Sequence, residues 1–421
     1  MWHKRMMAVT TIIGVIILIA GVSFTAGVNT AQDPSGFVAS RIPMMGSTTN
    51  TPPHYPASTM PDKLKEDFRV FWDVWNIVEQ EFVGDVDEQA LIQGAMKGMV
   101  EALGDPYTRY VDPSHNSILR EDVSGEFQGI GAMVDMIHDQ LMVVSAIKGS
   151  PAERAGLKSG DIVLEVNGKS IENMGLMDAV ALVRGPTGSS VTLTLKRDNV
   201  PEAFELSIIR AAVSIVSVES EIISDKIGYL AIRTFSTRTI QELDQHLRQL
   251  DTANISALIL DLRGNPGGFL DTAVATVSRF VESGPALWWV DADGSSRPIQ
   301  VRRNKTYNWP MVVLIDQGSA SASEIVAGAL QDSGKSILIG MPSFGKGSVQ
   351  NVHQLEDGSS MRVTSAHWLT RDQNEIDGVG LRPDMLVTQD ENRPHLDLQL
   401  NFAKNVLHRR IRIPEPSLFE F

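Results

Sequence analysis

The sequence predicts a mixed α/β protein built in several parts. These are an N-terminal membrane helix, a helical segment, a small β-rich domain, and a larger α/β core with a twisted sheet flanked by helices. Three observations carry this. An uncharged apolar run extends from Met6 to Val28. Short strands bounded by turn residues fill 118–208. From Ile227 onward apolar strands alternate with amphipathic helices, the rhythm of a sheet with helices on its faces.

At 421 residues the chain exceeds one ordinary domain, and two or three are expected. Its 43% apolar and 21% charged composition is that of a globular protein with a sizeable core. The net charge of −14 argues against a nucleic-acid partner, which would need a basic face. There is no cysteine, so disulfides and thiol catalysis are excluded, whereas export is not. No two of the nine His have the i, i+4 spacing of a helical zinc site, so neither a metal nor a cofactor is indicated.

Lys4 and Arg5 precede the first apolar run. The run is long enough for one spanning helix of about 20 residues, and the flanking charge keeps the N-terminus inside. Residues 1–29 therefore read as a signal anchor that attaches the protein to a membrane. The alternative is a signal peptide cut near Ala26 or Ala31, which leaves a secreted protein. Both place the rest outside the cytoplasm, in a periplasm or the extracellular space. Residues 30–61 hold Pro34, Pro43, Pro52, Pro53, Pro56 and Pro61 among Ser, Thr, Gly and Asn, a linker composition.

The helical region is expected over 62–117. Phe68, Phe71, Trp72, Trp75, Val78 and Phe82 recur every three or four residues and predict a first helix. Ala90, Leu91, Ala95, Met96, Met99, Val100 and Leu103 predict a second, stopped by Gly104-Asp105-Pro106. The aromatic stripe reads as core packing, with a partner helix or a homo-oligomer contact left open.

In the β-rich domain, Met142-Val143-Val144, Ile162-Val163-Leu164 and Val191–Leu195 read as strands, and Asp178–Val183 as a helix. The stretches Gly149-Ser150-Pro151-Ala152-Glu153-Arg154-Ala155-Gly156-Leu157 and Gly160-Asp161-Ile162-Val163-Leu164-Glu165-Val166-Asn167-Gly168 closely resemble a PDZ domain. Gly129, Ile130, Gly131 and Ala132 resemble its carboxylate-binding loop. There, backbone N–H groups meet a chain's C-terminal carboxylate and the adjacent strand edge pairs with the peptide.

The α/β core is expected over 209–390, with a C-terminal helical tail over 391–421. Strands fall at Gly228–Ile232, Ala257–Leu262, Met311–Ile315 and Ile337–Ile339. Helices fall at Ile240–Leu250, Phe269–Phe280 and Ser321–Leu330. Ligand sites in such sheets lie beyond the carboxyl ends of the strands. Three Gly- or Ser-rich turns fall there, after Leu262, Ile315 and Ile339.

Ser321 occupies the second of these turns, in Gly318-Ser319-Ala320-Ser321-Ala322-Ser323-Glu324. Small neighbours leave its Oγ open at a strand-to-helix turn, the setting of an exposed nucleophile. Lys346 lies 25 residues on, in Phe344-Gly345-Lys346-Gly347-Ser348-Val349-Gln350. A lysine base must be neutral, and burial favours that form. Gln350 offers it a hydrogen bond without adding charge. The N–H groups of Gly264 and Gly267, in Arg263-Gly264-Asn265-Pro266-Gly267-Gly268, together with that of Ala322, could form an oxyanion hole. Two other readings are weaker. Gly340–Lys346 fits seven positions of a phosphate-binding loop, but Gly347 stands where Ser or Thr should hold Mg²⁺, and a strand rather than a helix follows. A Ser–His–Asp triad would need His353 or His367, both in strand-like contexts.

With these motifs in order, residues 62–390 resemble the carboxyl-terminal processing, or tail-specific, proteases. Gly104-Asp105-Pro106-Tyr107-Thr108 and Gly380-Leu381-Arg382-Pro383-Asp384 add to the match. The resemblance implies a serine endopeptidase with Ser321 as nucleophile, Lys346 as general base and Gln350 orienting it. Asp332 matches a position implicated in some members. The implied partners are unfolded or exported proteins whose apolar C-terminal tails the PDZ domain captures, and Arg184 falls in a turn that links the two domains. One departure stands out. Thr370-Arg371-Asp372-Gln373-Asn374 replaces the family's Thr-Pro-x-Gly turn and lacks its rigid residues. A PDZ scaffold that binds tails without cutting them is the competing class, and the intact Ser321–Lys346–Gln350 set speaks against it.

Overall fold

The computed structural model describes residues 62–412 except 138, 199, 225 and 390–395. The expected membrane helix and linker lie outside the described residues. Among the described residues no helix is long and apolar enough to cross a membrane. The described chain forms two compact bodies, one of residues 62–116 and 350–364, the other of 117–349 and 365–412.

In the smaller body, α1 (Asp62–Glu81) and α2 (Glu88–Glu101) are joined by a short turn. Asp87 caps α2 by accepting the Ala90 N–H at 3.1 Å. β1 (Arg109–Val111) then pairs antiparallel with residues 360–362. The aromatic stripe departs from the core role expected of it. Phe71, Trp72, Ile77 and Phe82 are exposed, because no described element covers this face. Phe71, Trp72 and Trp75 pack on one another instead, with ring centroids 5.3 to 6.3 Å apart.

α3 (Pro113–Ser124) carries the chain into the larger body. There follow β2 (Glu126–Gly129), β3 (Ala132–Ile137), β4 (Gln140–Ala146), α4 (Pro151–Ala155), β5 (Ile162–Val166), β6 (Lys169–Ser170), α5 (Leu176–Val183), β7 (Ser190–Lys196), β8 (Phe204–Ile209) and β9 (Ala211–Ser214). β3-β4-β5-β7-β8 form one sheet, β6 pairs with β5, and β2 pairs with β9. Leu141, Val143, Val163, Val191, Leu193, Leu195 and Ile208 fill a core of their own with Ala179 of α5. The period-2 alternation of β7 puts Val191, Leu193 and Leu195 inside. Ser150 caps α4, and Gly156 ends it in the left-handed conformation.

The remaining elements are β10 (Val218–Ser224), β11 (Ile227–Ile232), α6 (Thr239–Thr252), β12 (Ala257–Asp261), α7 (Leu270–Val277), β13 (Pro285–Asp291), β14 (Ser296–Gln300), β15 (Met311–Ile315), α8 (Ala322–Asp332), β16 (Ser336–Gly340), β17 (Ser348–Gln354), β18 (Ser360–Leu369), β19 (Met385–Leu386) and α9 (Leu398–Arg412). The central sheet runs β10-β11-β12-β15-β16-β19. Only β10–β11 is antiparallel. Alternate strand residues enter two cores. Leu258, Leu260, Met311 and Val313 meet Leu243 of α6, Val277 of α7 and Val326 of α8. Ile259, Val312 and Leu314 meet Ala403 and Leu407 of α9. Coverage of both faces explains why these strands read as unbroken apolar runs. The ends of β12, β15 and β16 therefore open on the same edge, which brings the three Gly- or Ser-rich turns together.

Candidate active site

Ser321 is the N-cap of α8, with φ 55° and ψ −112°. Backbone at positive φ strains a residue that carries a Cβ, at a cost of about 1–3 kcal/mol. The strain turns Ser321 outward. Residues 319, 320 and 322–330 are all buried, while Ser321 is only half-buried. Its own N–H donates to Glu324 Oε2 at 2.7 Å. The Ala322 N–H, next along, donates to no group among the described residues.

The glycine turn after β12 abuts this serine. A Cβ on Gly267, at φ 106°, would lie 2.9 Å from Ser321 Cβ and 3.0 Å from Ala322 N. Only glycine fits there. Asn265 fixes the turn from inside. Its Nδ2 donates to Ile232 O at 2.7 Å, and its carbonyl accepts from Ala320 N and from Ser323 Oγ. Two of the three N–H groups expected at an oxyanion hole already have acceptors. That of Gly264 donates to Asp316 Oδ1 at 2.8 Å, and that of Gly267 to Asn265 Oδ1 at 2.9 Å.

Lys346 follows β16 and is 4% exposed. Its N–H donates to Glu324 Oε2 at 2.9 Å, and its carbonyl accepts from Trp368 Nε1 at 3.1 Å. Gly345 N–H and Ser343 Oγ donate to the other Glu324 oxygen at 2.7 and 2.6 Å. Phe344 N–H donates to Ser319 O at 3.0 Å. Glu324, fully buried, is thus the clasp between the serine turn and the lysine loop. Burial pushes its carboxyl upward from the usual range, and the four donors oppose that push. All four partners donate, which suits the ionised form. Sequence reasoning missed this role. The available signal was Ser321-x-x-Glu324, a capping-box spacing before a buried helix.

The same contacts bear on the other readings. The N–H groups of the Gly340–Lys346 loop that a phosphate would need are in part turned onto Glu324, and β17 follows. His353 on β17 and His367 on β18 make no bond to a carboxylate among the described residues.

Three family models match the chain. They are peptidase family S41 over residues 226–387, a PDZ domain over 142–197, and the N-terminal domain of the activating protease CtpB over 39–114. The carboxy-terminal processing protease CtpA of Bacillus subtilis (strain 168) is 36% identical over 344 residues, covering 81% of this chain and 74% of the relative. CtpB of the same organism is 35% identical over 319 residues, covering 75% and 66%. The chain belongs to the carboxy-terminal processing serine proteases of family S41. Among solved structures, the photosystem II D1 C-terminal processing protease superposes with a TM-score of 0.53 at 28% identity, covering 77% of this chain and 86% of that one.

Other residues expected at the protease's site lie as follows. Gln350 is buried on β17, on the same strand face as Ser348. Asp332 stands at the far end of α8, about 16 Å along the helix from Ser321. It accepts the Asp372 N–H at 2.8 Å, within the Thr370–Asn374 turn. That turn is closed without proline by Gln373 N–H on Thr370 O and Thr370 N–H on Asn374 O, both 3.0 Å. In the PDZ domain, Gly129 ends β2, and the Ile130 carbonyl accepts from Ala152 N at 2.8 Å. Gly131 has φ 77° and packs where a Cβ would lie 2.4 Å from Ser150 Cβ. Ala132 opens β3, an edge strand of its sheet. Arg184, at the end of α5, is paired with Glu121 at 3.1 Å and with Asp122, and lies over the Phe127 ring at 4.5 Å.

Proposed function

We propose that the protein cleaves polypeptides by acyl transfer, with Ser321 as nucleophile and Lys346 as general base. The observation that carries this is the shared Glu324 carboxylate, which holds the backbones of both residues in one buried network. Ser321 Oγ attacks the scissile carbonyl and its proton passes to the Lys346 amine. Burial of Lys346 disfavours the ammonium form, as a base requires. The tetrahedral oxyanion forms at the N-terminus of α8, where the Ala322 N–H has no acceptor among the described residues and the helix dipole favours negative charge. Its collapse expels the amine, which Lys346 protonates. Water then attacks the acyl carbon, Lys346 takes the water's proton, and Ser321 is regenerated. Gln350, four residues on, orients the amine.

Substrates are unfolded or exported proteins with free, apolar C-terminal tails. The tail adds a strand to the open edge of β3, and its carboxylate sits in the Gly129–Ala132 loop. Attachment to a membrane through residues 6–28, with the catalytic part outside the cytoplasm, accords with the charge pattern of the first residues.

The test is cleavage of an unfolded reporter ending in an apolar tail, by wild type, Ser321→Ala and Lys346→Ala, with an amidated tail in parallel. Turnover by wild type alone, weakened by amidation, supports the reading. Undiminished turnover by Lys346→Ala rejects the base. Equal turnover of both tails rejects carboxylate capture.

A further inference from the structure

We propose that Asp377 is a positioning residue for Lys346, acting through the backbone of the lysine loop; the inference rests on the reading of Lys346 as the base. Residues 341–347 form no helix or strand, and Gly345 and Gly347 flank the lysine, so the loop does not set its own shape. Bonds from outside set it. The Cα of Lys346 joins two planar peptide units. In the first, the Lys346 N–H donates to Glu324 Oε2 at 2.9 Å, and the Gly345 carbonyl accepts from Gly378 N–H at 2.9 Å. In the second, the Lys346 carbonyl accepts from Trp368 Nε1 at 3.1 Å, and the Gly347 N–H donates to Asp377 Oδ1 at 2.8 Å. Each unit is thus pinned at both its N–H and its C=O, which fixes the direction in which the lysine side chain leaves the backbone.

Asp377 belongs to a segment, residues 376–381, that lies along the lysine loop. Ser343 N–H donates to Leu381 O at 3.1 Å, and Leu381 N–H to Ser343 Oγ at 2.7 Å. The approach is close. A Cβ on Gly345 would lie 2.7 Å from Gly380 N, and one on Gly347 would lie 2.9 Å from Asp377 Cβ. Ile376 and Leu381 anchor the segment in the core that Trp368 and Val349 share. Between these anchors Gly378 and Val379 are exposed and Asp377 is half-buried.

Gly347 is buried, and a buried N–H without an acceptor is costly, so loss of the Asp377 oxygen would turn the second peptide unit to find another. Lys346 Cα turns with it. Misplacement of a reacting group by about 1 Å lowers a rate about a hundredfold. The role belongs to the oxygen's position rather than to its charge, because the bond it accepts comes from the backbone. Asparagine can supply that oxygen. Glutamate cannot supply it in the same place, since the Cβ at position 377 already lies against Gly347 and an added methylene carries the oxygen past the N–H.

The experiment compares Asp377→Ala, Asp377→Asn and Asp377→Glu with wild type in the full chain, with Lys346→Ala alongside. Steady-state kinetics use an unfolded reporter, and a serine-directed covalent probe reads nucleophile activation without substrate. Asp377→Ala lowers kcat about 10- to 100-fold and leaves KM within about threefold. Probe labelling slows by the same factor. Asp377→Asn recovers kcat to within about fivefold of wild type, whereas Asp377→Glu falls with alanine. An unchanged kcat in Asp377→Ala, a rise in KM alone, or a loss that asparagine does not restore overturns the proposal. Should Asp377→Ala not fold, the other two variants decide. Asparagine more active than glutamate supports it, and equal activity or the reverse order overturns it. Turnover retained by Lys346→Ala overturns the base reading and this proposal together. An inactive Lys346→Ala beside a normal Asp377→Ala overturns this proposal alone.

Discussion

The backbone N–H groups of Ser321 and Lys346 donate to the same oxygen of Glu324, at 2.7 and 2.9 Å. A displacement of either turn is therefore felt by the other. The backbones of both residues of the proposed dyad are thus positioned by one carboxylate.

Replacement of Glu324 tests this directly. Glu324→Gln turns an amide NH₂ toward donors and leaves at least one buried donor unsatisfied, a cost of about 1–3 kcal/mol. The expected outcome is a fall in kcat of about a hundredfold or more, a smaller change in KM, and a lower Tm. Steady-state kinetics on a peptide substrate and a thermal melt check it. Unchanged kcat would mean the clasp is structural only.

Ser321 carries backbone strain at φ 55°. Glycine adopts that conformation freely, so Ser321→Gly relieves what Ser321→Ala retains. Both variants should lose turnover, and Ser321→Gly should be the more stable by about 1 kcal/mol. Urea denaturation of the pair measures the difference; equal midpoints would show that the serine turn is not strained.

Gly267→Ala should abolish turnover with modest loss of stability. Its Cβ would lie 2.8 Å from the Ala320 carbonyl and 2.9 Å from Ser321 Cβ, so the serine turn must shift. A shift of that order at a reacting group costs about a hundredfold in rate. A serine-directed covalent probe should label the variant slowly, whereas near-normal labelling would contradict the close approach.

Asp397 links α9 to Arg263, with Oδ2 2.8 Å from Nη2. Burial alone would raise its carboxyl, but the hydrogen bond from Arg263 and lesser contacts bring it from 3.8 down to about 2. A depressed carboxylate adds stability above its unfolded value and loses it as pH falls through the folded one. Asp397→Asn should therefore melt below wild type at neutral pH. The gap should narrow between about pH 4 and pH 2. A gap independent of pH would assign the effect to lost packing.

Much of this architecture was legible because its signals are local. β12, β15 and β16 announce themselves as apolar runs, since both faces of the sheet are covered. Ser321 and Lys346 are marked by the small residues that let their turns form. What the sequence hid depends on partners far along the chain. Glu324 looks like an ordinary helix-start acid until the Ser343–Lys346 loop folds onto it. The Gly264 N–H looks available until Asp316 reaches it from another turn. The β13–β14 hairpin was missed despite Asp293-Gly294, a pair that favours tight turns. The stripe on α1 has helical periodicity, but periodicity says nothing of what, if anything, lies against it.

α9 follows every strand of the central sheet in the chain, yet it packs on one face of that sheet, against β12, β15 and β16, and its Gln399 accepts from Arg263, the residue that opens the glycine turn. Synthesis from the N-terminus thus produces Ser321 and Lys346 well before the helix that packs beneath their strands. During that interval Ile259, Val312 and Leu314 lack their cover. A chain that stops short of α9 therefore presents apolar strand residues that the finished protein buries.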